Sequence, residues 1–253
     1  MAIKGNLGLY LSGMPVMIKQ CNIILSQPRV KEIMLTLGED DFLSIMQIIG
    51  HIDVFAKQIK EGNPELNLLS DFQVLLIILQ EEPRIKVLFD SFFSLIFPDY
   101  TTKVTENSIE FFLVDSDNLV SVINPFNFPY LQETLVELFE PQNKNEEEFN
   151  PIDDKAKEIA EKLKKGREKR NKMKAENKSS QMDSLFALQT SILSVGLSMD
   201  INILYNYTPF QLYDAFMRYS SKMASDFYRR VSTMPFMDTS KMDPPPEWTR
   251  GLY

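Results

Sequence analysis

From Thr208 to Val231 apolar and polar positions recur with the period of a helix. Leu212, Phe216, Tyr219, Met223, Phe227 and Val231 stand four and three apart, which is one apolar stripe. Asp214–Arg218 and Asp226–Arg230 are each four apart on the polar side, with the acid first, the orientation that favours pairing. Thr208 is placed to cap the helix, Pro209 sits where its missing N–H costs nothing, and Gln211 completes a capping box. This is the most fully specified element of the chain.

Elsewhere the pattern predicts shorter pieces. Residues 1–15 contain three glycines and read as an irregular lead-in, and Val16–Leu25 reads as a strand. Ser26 is expected to cap a helix through Val30, Ile33, Met34 and Leu37 that stops at Gly38. Acidic residues 39–41 open a long helix with Phe42, Ile45, Met46, Ile49, Ile52 and Phe55 on one face. Gly62, Asn63 and Pro64 break the chain, and Ser70 or Asp71 caps the next helix. Pro83 separates that helix from Ile85–Ile96, whose inward face reads as Leu88, Phe92 and Leu95. The period then drops to two. Ile109–Val114 and Leu119–Ile123 predict a hairpin across the polar residues 115–118, and Phe128–Phe139 predicts a helix facing inward with Leu131, Leu135 and Leu138. The fold class is α+β, predominantly helical.

At Pro141 the composition changes. Residues 141–180 read as a charged linker between an N-terminal α+β domain, 1–140, and a C-terminal helical module, 181–253, with a proline-rich tail. Between Lys155 and Lys178 eleven Lys and Arg stand against four Glu, a local +7 in a chain of net charge −8, so the remainder sums to about −15. The linker's apolar row (Ala156, Ile159, Ala160, Leu163) gives way to Gly166, Arg167 and Arg170, which predicts a solvated helix that frays. The module opens with Leu185, Leu188, Ile192, Leu193 and Val195 as an inward face closed by Gly196, followed by a short turn at 200–205. In the tail, Trp248 and Tyr253 are available to dock, the plainer reading being that Trp248 folds back on its own module.

Composition and motifs narrow the chemistry. One cysteine, Cys21, allows no intramolecular disulfide and suits a reducing cytoplasm. No apolar run reaches the roughly 18–20 residues that span a bilayer, and the N-terminus reads as no signal peptide. There is no phosphate-binding glycine loop, C-x-x-C pair, H-E-x-x-H or G-x-S-x-G, and His51 is the sole histidine. No catalytic, metal or cofactor site is expected. Asp115 and Asp117 read as turn residues rather than calcium ligands, and Glu146–Glu148 with Asp153 and Asp154 as a solvated charge run. The basic stretch 155–178 could neutralise phosphates, but it has no aromatic residue to stack on bases and its acids are interspersed. The stripe of 208–231, with Tyr213, Met217 and Tyr228 beside it, reads first as core and second as an adaptable, methionine-bearing binding face.

Three segments in order carry a resemblance: CNIILSQPRVKEIMLTLGEDDF (21–42), IEFFLVD with INPFNFPYLQETLVELF (109–139), and LSVGLSMDINILYNYTPFQLYDAFMRY with DPPPEW (193–248). Together they resemble tail assembly chaperones encoded in the tail-gene region of long-tailed phages and prophages of Gram-positive hosts. The resemblance implies a non-enzymatic protein of the host cytoplasm that shields the tape-measure protein until tail-tube subunits polymerise, and that is absent from the finished virion. It implies the tape-measure and tail-tube proteins as partners, no membrane, and room for a homo-oligomer. The body–tether–module layout resembles the long form of chaperones made in two lengths by frameshifting. The residues expected to meet the partner are Tyr213, Phe216, Tyr219, Met223, Phe227 and Trp248. The alternatives are a minor tail or baseplate component of the virion and a regulatory nucleic-acid binder using 155–178.

Overall fold

The structure, a computed structural model, describes residues 3–116, 118–140 and 185–234. The linker at 141–180, its basic stretch, and the tail with Trp248 therefore lie outside the described residues. The fold is α+β and mostly helical, with two small antiparallel sheets.

The first three elements depart from the pattern-based expectation. Residues 3–12 form a helix, α1 (Ile3–Ser12), rather than an irregular lead-in. Its glycines weaken it, but Tyr10 is buried and its hydroxyl donates to Glu137 Oε2 at 2.9 Å. Val16–Leu25 is a hairpin, not one strand. β1 (Val16–Ile18) pairs with β2 (Ile23–Leu25), and Asn22 turns the chain with φ 51°. Asparagine tolerates that left-handed backbone better than most residues. The helix expected from Ser26 starts later, as α2 (Val30–Thr36) with Arg29 at the cap, because the Ser26 amide donates instead to Ile96 O at 2.8 Å.

The next stripe is divided at His51 into α3 (Glu39–Gly50) and α4 (Ile52–Gly62). Gly50 lets α3 approach α7 (Phe128–Phe139) closely: a Cβ there would stand 3.0 Å from Val136 Cγ2. A 3₁₀ turn (Pro64–Leu68) leads to α5 (Asp71–Glu81), where Ser70 rather than Asp71 is the cap and Gln73 completes a capping box. α6 (Pro83–Ile96) buries Phe89, Phe92, Phe93 and Ile96 rather than Leu88 and Leu95, which are only half-buried. Two faces of α6 are apolar, and the sheet beneath selects the one bearing Phe93. That sheet is a meander, β3 (Tyr100–Val104), β4 (Ile109–Leu113) and β5 (Leu119–Ile123), with Phe111 inside against Phe93 and Phe97. β3 lacked a sequence signal of its own.

The C-terminal stretch is α8 (Leu185–Leu197), α9 (Ile201–Leu204) and α10 (Pro209–Ser232). It does not stand apart: Phe186, Leu193, Leu204, Phe210 and Leu212 belong to one core with residues of 10–139. Phe42 on α3 touches the rings of Phe92, Phe139 and Phe186 at 5.6, 5.4 and 6.3 Å, so one side chain joins α3, α6, α7 and α8.

Backbone polar groups are shared across the same junction. The orphan N–H groups of Val30 and Lys31 at the start of α2 donate to Tyr207 O and Tyr205 O at 2.9 and 3.0 Å. Gln211 closes the α10 capping box and its Nε2 also donates to Leu11 O, near the end of α1, at 2.7 Å. Gly13, with φ 68°, allows this approach, since a Cβ would meet Gln211 Nε2 at 3.2 Å. Gln211→Ala should therefore cost about 1–3 kcal/mol in urea unfolding, more than the loss of a solvent-facing cap alone. An unchanged urea midpoint would remove this link between the two stretches.

Candidate interaction face

α10 is built as its sequence dictates. Thr208 Oγ1 accepts from Gln211 N at 3.3 Å, Gln211 Oε1 accepts from Thr208 N at 2.9 Å, and Asp214 pairs with Arg218 at 2.8 Å. Asp226 turns to Arg229, three residues on, at 4.0 Å, rather than to Arg230.

The expected partner-binding residues divide along the helix. Tyr213 lines a cleft of about 820 Å³ with Leu43, Ile48, Phe55, Phe139 and Leu185. Phe216 and Tyr219 are half-buried and packed on the core, as is Ala215. Tyr219 lies against Gly196 so closely that a Cβ there would stand 2.2 Å from its ring, so any side chain at 196 displaces it. Met223 and Phe227 are 51% and 61% exposed. At 100° per residue they continue the face that Leu212, Phe216 and Tyr219 pack inward. Val231 further along is buried again, outside the main core. The structure thus makes Phe216 and Tyr219 largely core and leaves Met223 and Phe227 as an apolar face toward solvent, while Trp248 lies outside the described residues.

Sequence reasoning missed a second apolar face. α8 was expected to turn Leu185, Leu188, Ile192, Leu193 and Val195 inward. Of these only Leu193 is buried, together with Phe186, Gln189 and Thr190, and Leu185, Leu188, Ile192 and Val195 are exposed. The reason lies at the start of the helix. Glu39, buried at the first position of α3, accepts from Phe186 N at 3.0 Å, and Phe186 lies against Phe42. A carboxylate at a helix N-terminus opposes the positive end of the dipole, so this contact fixes which side of α8 faces the body. Because α8 is apolar nearly all round, periodicity alone cannot choose that side.

Burial perturbs two titratable groups among the described residues, Glu39 and Cys21. Burial pushes the Glu39 carboxyl above its ordinary range, and nearby Asp40 adds to the rise while the Phe186 and Leu185 amides oppose it; its Oε2 has no partner. Burial likewise pushes the Cys21 thiol up to about 11, with the Leu131 amide pulling the other way, and its Sγ donates to Asn127 O at 3.4 Å. His51 Nε2 and Glu140 Oε2 meet at 2.6 Å at the edge of the cleft. Among the described residues no group of three His, Cys, Asp or Glu could hold a metal ion, and no helix is long and apolar enough to cross a membrane.

Two outcomes follow for these groups. A carboxyl whose folded pKa is raised holds its proton more tightly in the native state, so its contribution is most favourable below about 4.5 and is lost as pH rises through the folded value. Glu39→Gln keeps an acceptor for Phe186 N without the charge. At pH 7 its urea midpoint should equal or exceed that of the native chain, with the gap closing toward pH 4. A midpoint well below the native one at pH 7 would show that the ionised carboxylate is favourable where it lies. The Cys21 thiol should react with an alkylating reagent at pH 8 only as fast as the chain unfolds, and rapid labelling of the native protein would place it at the surface.

No family model, curated protein or solved structure matches this chain.

Proposed function

We propose that this protein is a non-enzymatic tail assembly chaperone that holds an amphipathic helix of a tape-measure protein in the host cytoplasm until the tail tube forms around it. The observation that carries this reading is that the apolar stripe of α10 opens to solvent partway along. It is inward at Leu212, held at Phe216 and Tyr219, open at Met223 and Phe227, and buried again at Val231. An exposed apolar pair on a helix offers a seat for the apolar face of another helix. The flexible thioether of Met223 suits clients whose side chains vary along a long repeat-like partner. Of the charged residues on this half of the helix, Arg230 and Asp226 border the open pair, while Lys222 and Arg229 stand farther round the helix.

Alanine at both Met223 and Phe227 should weaken binding to a tape-measure fragment by about 10- to 100-fold. Because both side chains face solvent, the melting temperature should stay within about 2 °C of the native value. Phe216→Ala should instead destabilise the fold by about 1–3 kcal/mol. Pull-down and thermal melting of the same three variants check this, and unchanged binding by the double variant would remove the open face from the function. Mass spectrometry of purified virions should not detect the protein. Its presence there would make it a minor tail or baseplate component.

A further inference from the structure

We infer that the cleft beside α3 and α4 is the seat of a segment of this same chain, residues 156–163, which lies outside the described residues. Both ends of the intervening chain line this cleft. Glu140, where α7 closes, and Leu185, where α8 opens, belong to its wall, so the 44 residues of 141–184 start and finish there. The cleft encloses about 820 Å³, and Leu43, Ile48 and Phe55 make much of its apolar wall. Val54 and Leu185, also in the wall, are left 55% and 47% exposed.

Tethering favours this occupant over a free one. Ala156 follows Glu140 by 16 residues, and a chain of that length has a root-mean-square reach of roughly 20–24 Å. A segment held at such a reach meets its site at an effective concentration on the order of millimolar. A seat that would hold the free segment only at about 100 µM is then filled roughly ten to one.

Charge selects the part of the linker that sits. The described lining holds one carboxylate, Glu140, beside His51, and no Lys or Arg. Phe149 and Ile152 stand among Glu146–Glu148, Asp153 and Asp154, all of the same sign as Glu140. From Lys155 to Lys165, by contrast, five lysines stand against two glutamates. Within that stretch Ala156, Ile159, Ala160 and Leu163 recur at helical spacing, a row about 10 Å long as a helix. The row ends at Gly166, so the seat takes 156–163 and leaves the rest of the basic stretch outside. This cleft is separate from Met223 and Phe227, and the proposal does not rest on client binding.

The test is limited trypsin digestion of the full chain, with each cleavage site followed by mass spectrometry. In the native protein, cleavage after Lys157 and Lys162 should be roughly 10-fold slower than cleavage between Lys169 and Lys178. Ile159→Ser combined with Leu163→Ser should bring the two slow sites up to the common rate. Val54→Lys, at the exposed wall of the cleft, should do the same at a near-native melting temperature. The linker pair keeps the test valid should Val54→Lys fold poorly. Equal cleavage throughout the basic stretch of the native chain overturns the proposal. So does protection that survives Val54→Lys, because the row would then lie elsewhere. Since Cys21 is buried, Ser44→Cys combined with Ala160→Cys should give an intramolecular disulfide under mild oxidation. A disulfide-linked dimer that grows with protein concentration would seat a second copy there and overturn the assignment. Tape-measure binding lost in Val54→Lys but kept by the Ile159 and Leu163 pair would give the cleft to the client, with the same consequence.

Discussion

The start of α2 and the end of α1 leave backbone groups that their own helices cannot pair. Their partners come from across the junction: Tyr205 and Tyr207 accept from Lys31 and Val30, and Gln211 donates to Leu11. The exchange runs both ways, since Glu39 of the body accepts from Phe186 at the start of α8. A buried backbone group left unpaired costs about 1–3 kcal/mol. Three or four such losses approach the 5–15 kcal/mol that separates a typical folded domain from its unfolded chain. The two described stretches are therefore parts of one packed unit, in which Phe42 supplies the apolar contact at the centre and the shared helix ends supply the register.

That register decides what is left outside. Pinning the first turn of α10 through Gln211 and Leu11, and the first turn of α8 through Glu39, fixes where each helix begins against the body. Both extend away from these anchored ends. α8 turns its far side to solvent along its length, and α10 continues beyond Tyr219, where Gly196 has been kept bare to receive that ring. The exposed apolar residues are thus consequences of helix starts fixed by hydrogen bonds.

Elements with local signals could be read from sequence, and those that depend on remote partners could not. Thr208 with Gln211 announces α10 because a capping box is complete within four residues, and Ser70 or Asp71 marks the start of α5 as a local cap. β4 and β5 announce themselves by alternation, and α7 by a single clean face. α1 carries glycines that argue against a helix, and it is held by Glu137 and Gln211, both distant in sequence. The face of α8 could not be read because apolar residues surround the helix, leaving the choice to Glu39 and Phe42. The same cause divided the candidate site: the α10 stripe is continuous in sequence, but where it stops being core depends on how far the body extends.

The two open faces differ most in charge. Along α8 the uncharged stretch offers no electrostatic means of choosing among partners. The distal part of α10 carries three bases and one acid, of which Arg230 and Asp226 border the open pair while Lys222 and Arg229 stand farther round the helix. Apolar burial at Met223 and Phe227 would supply the contact itself, with two side chains giving modest rather than permanent affinity.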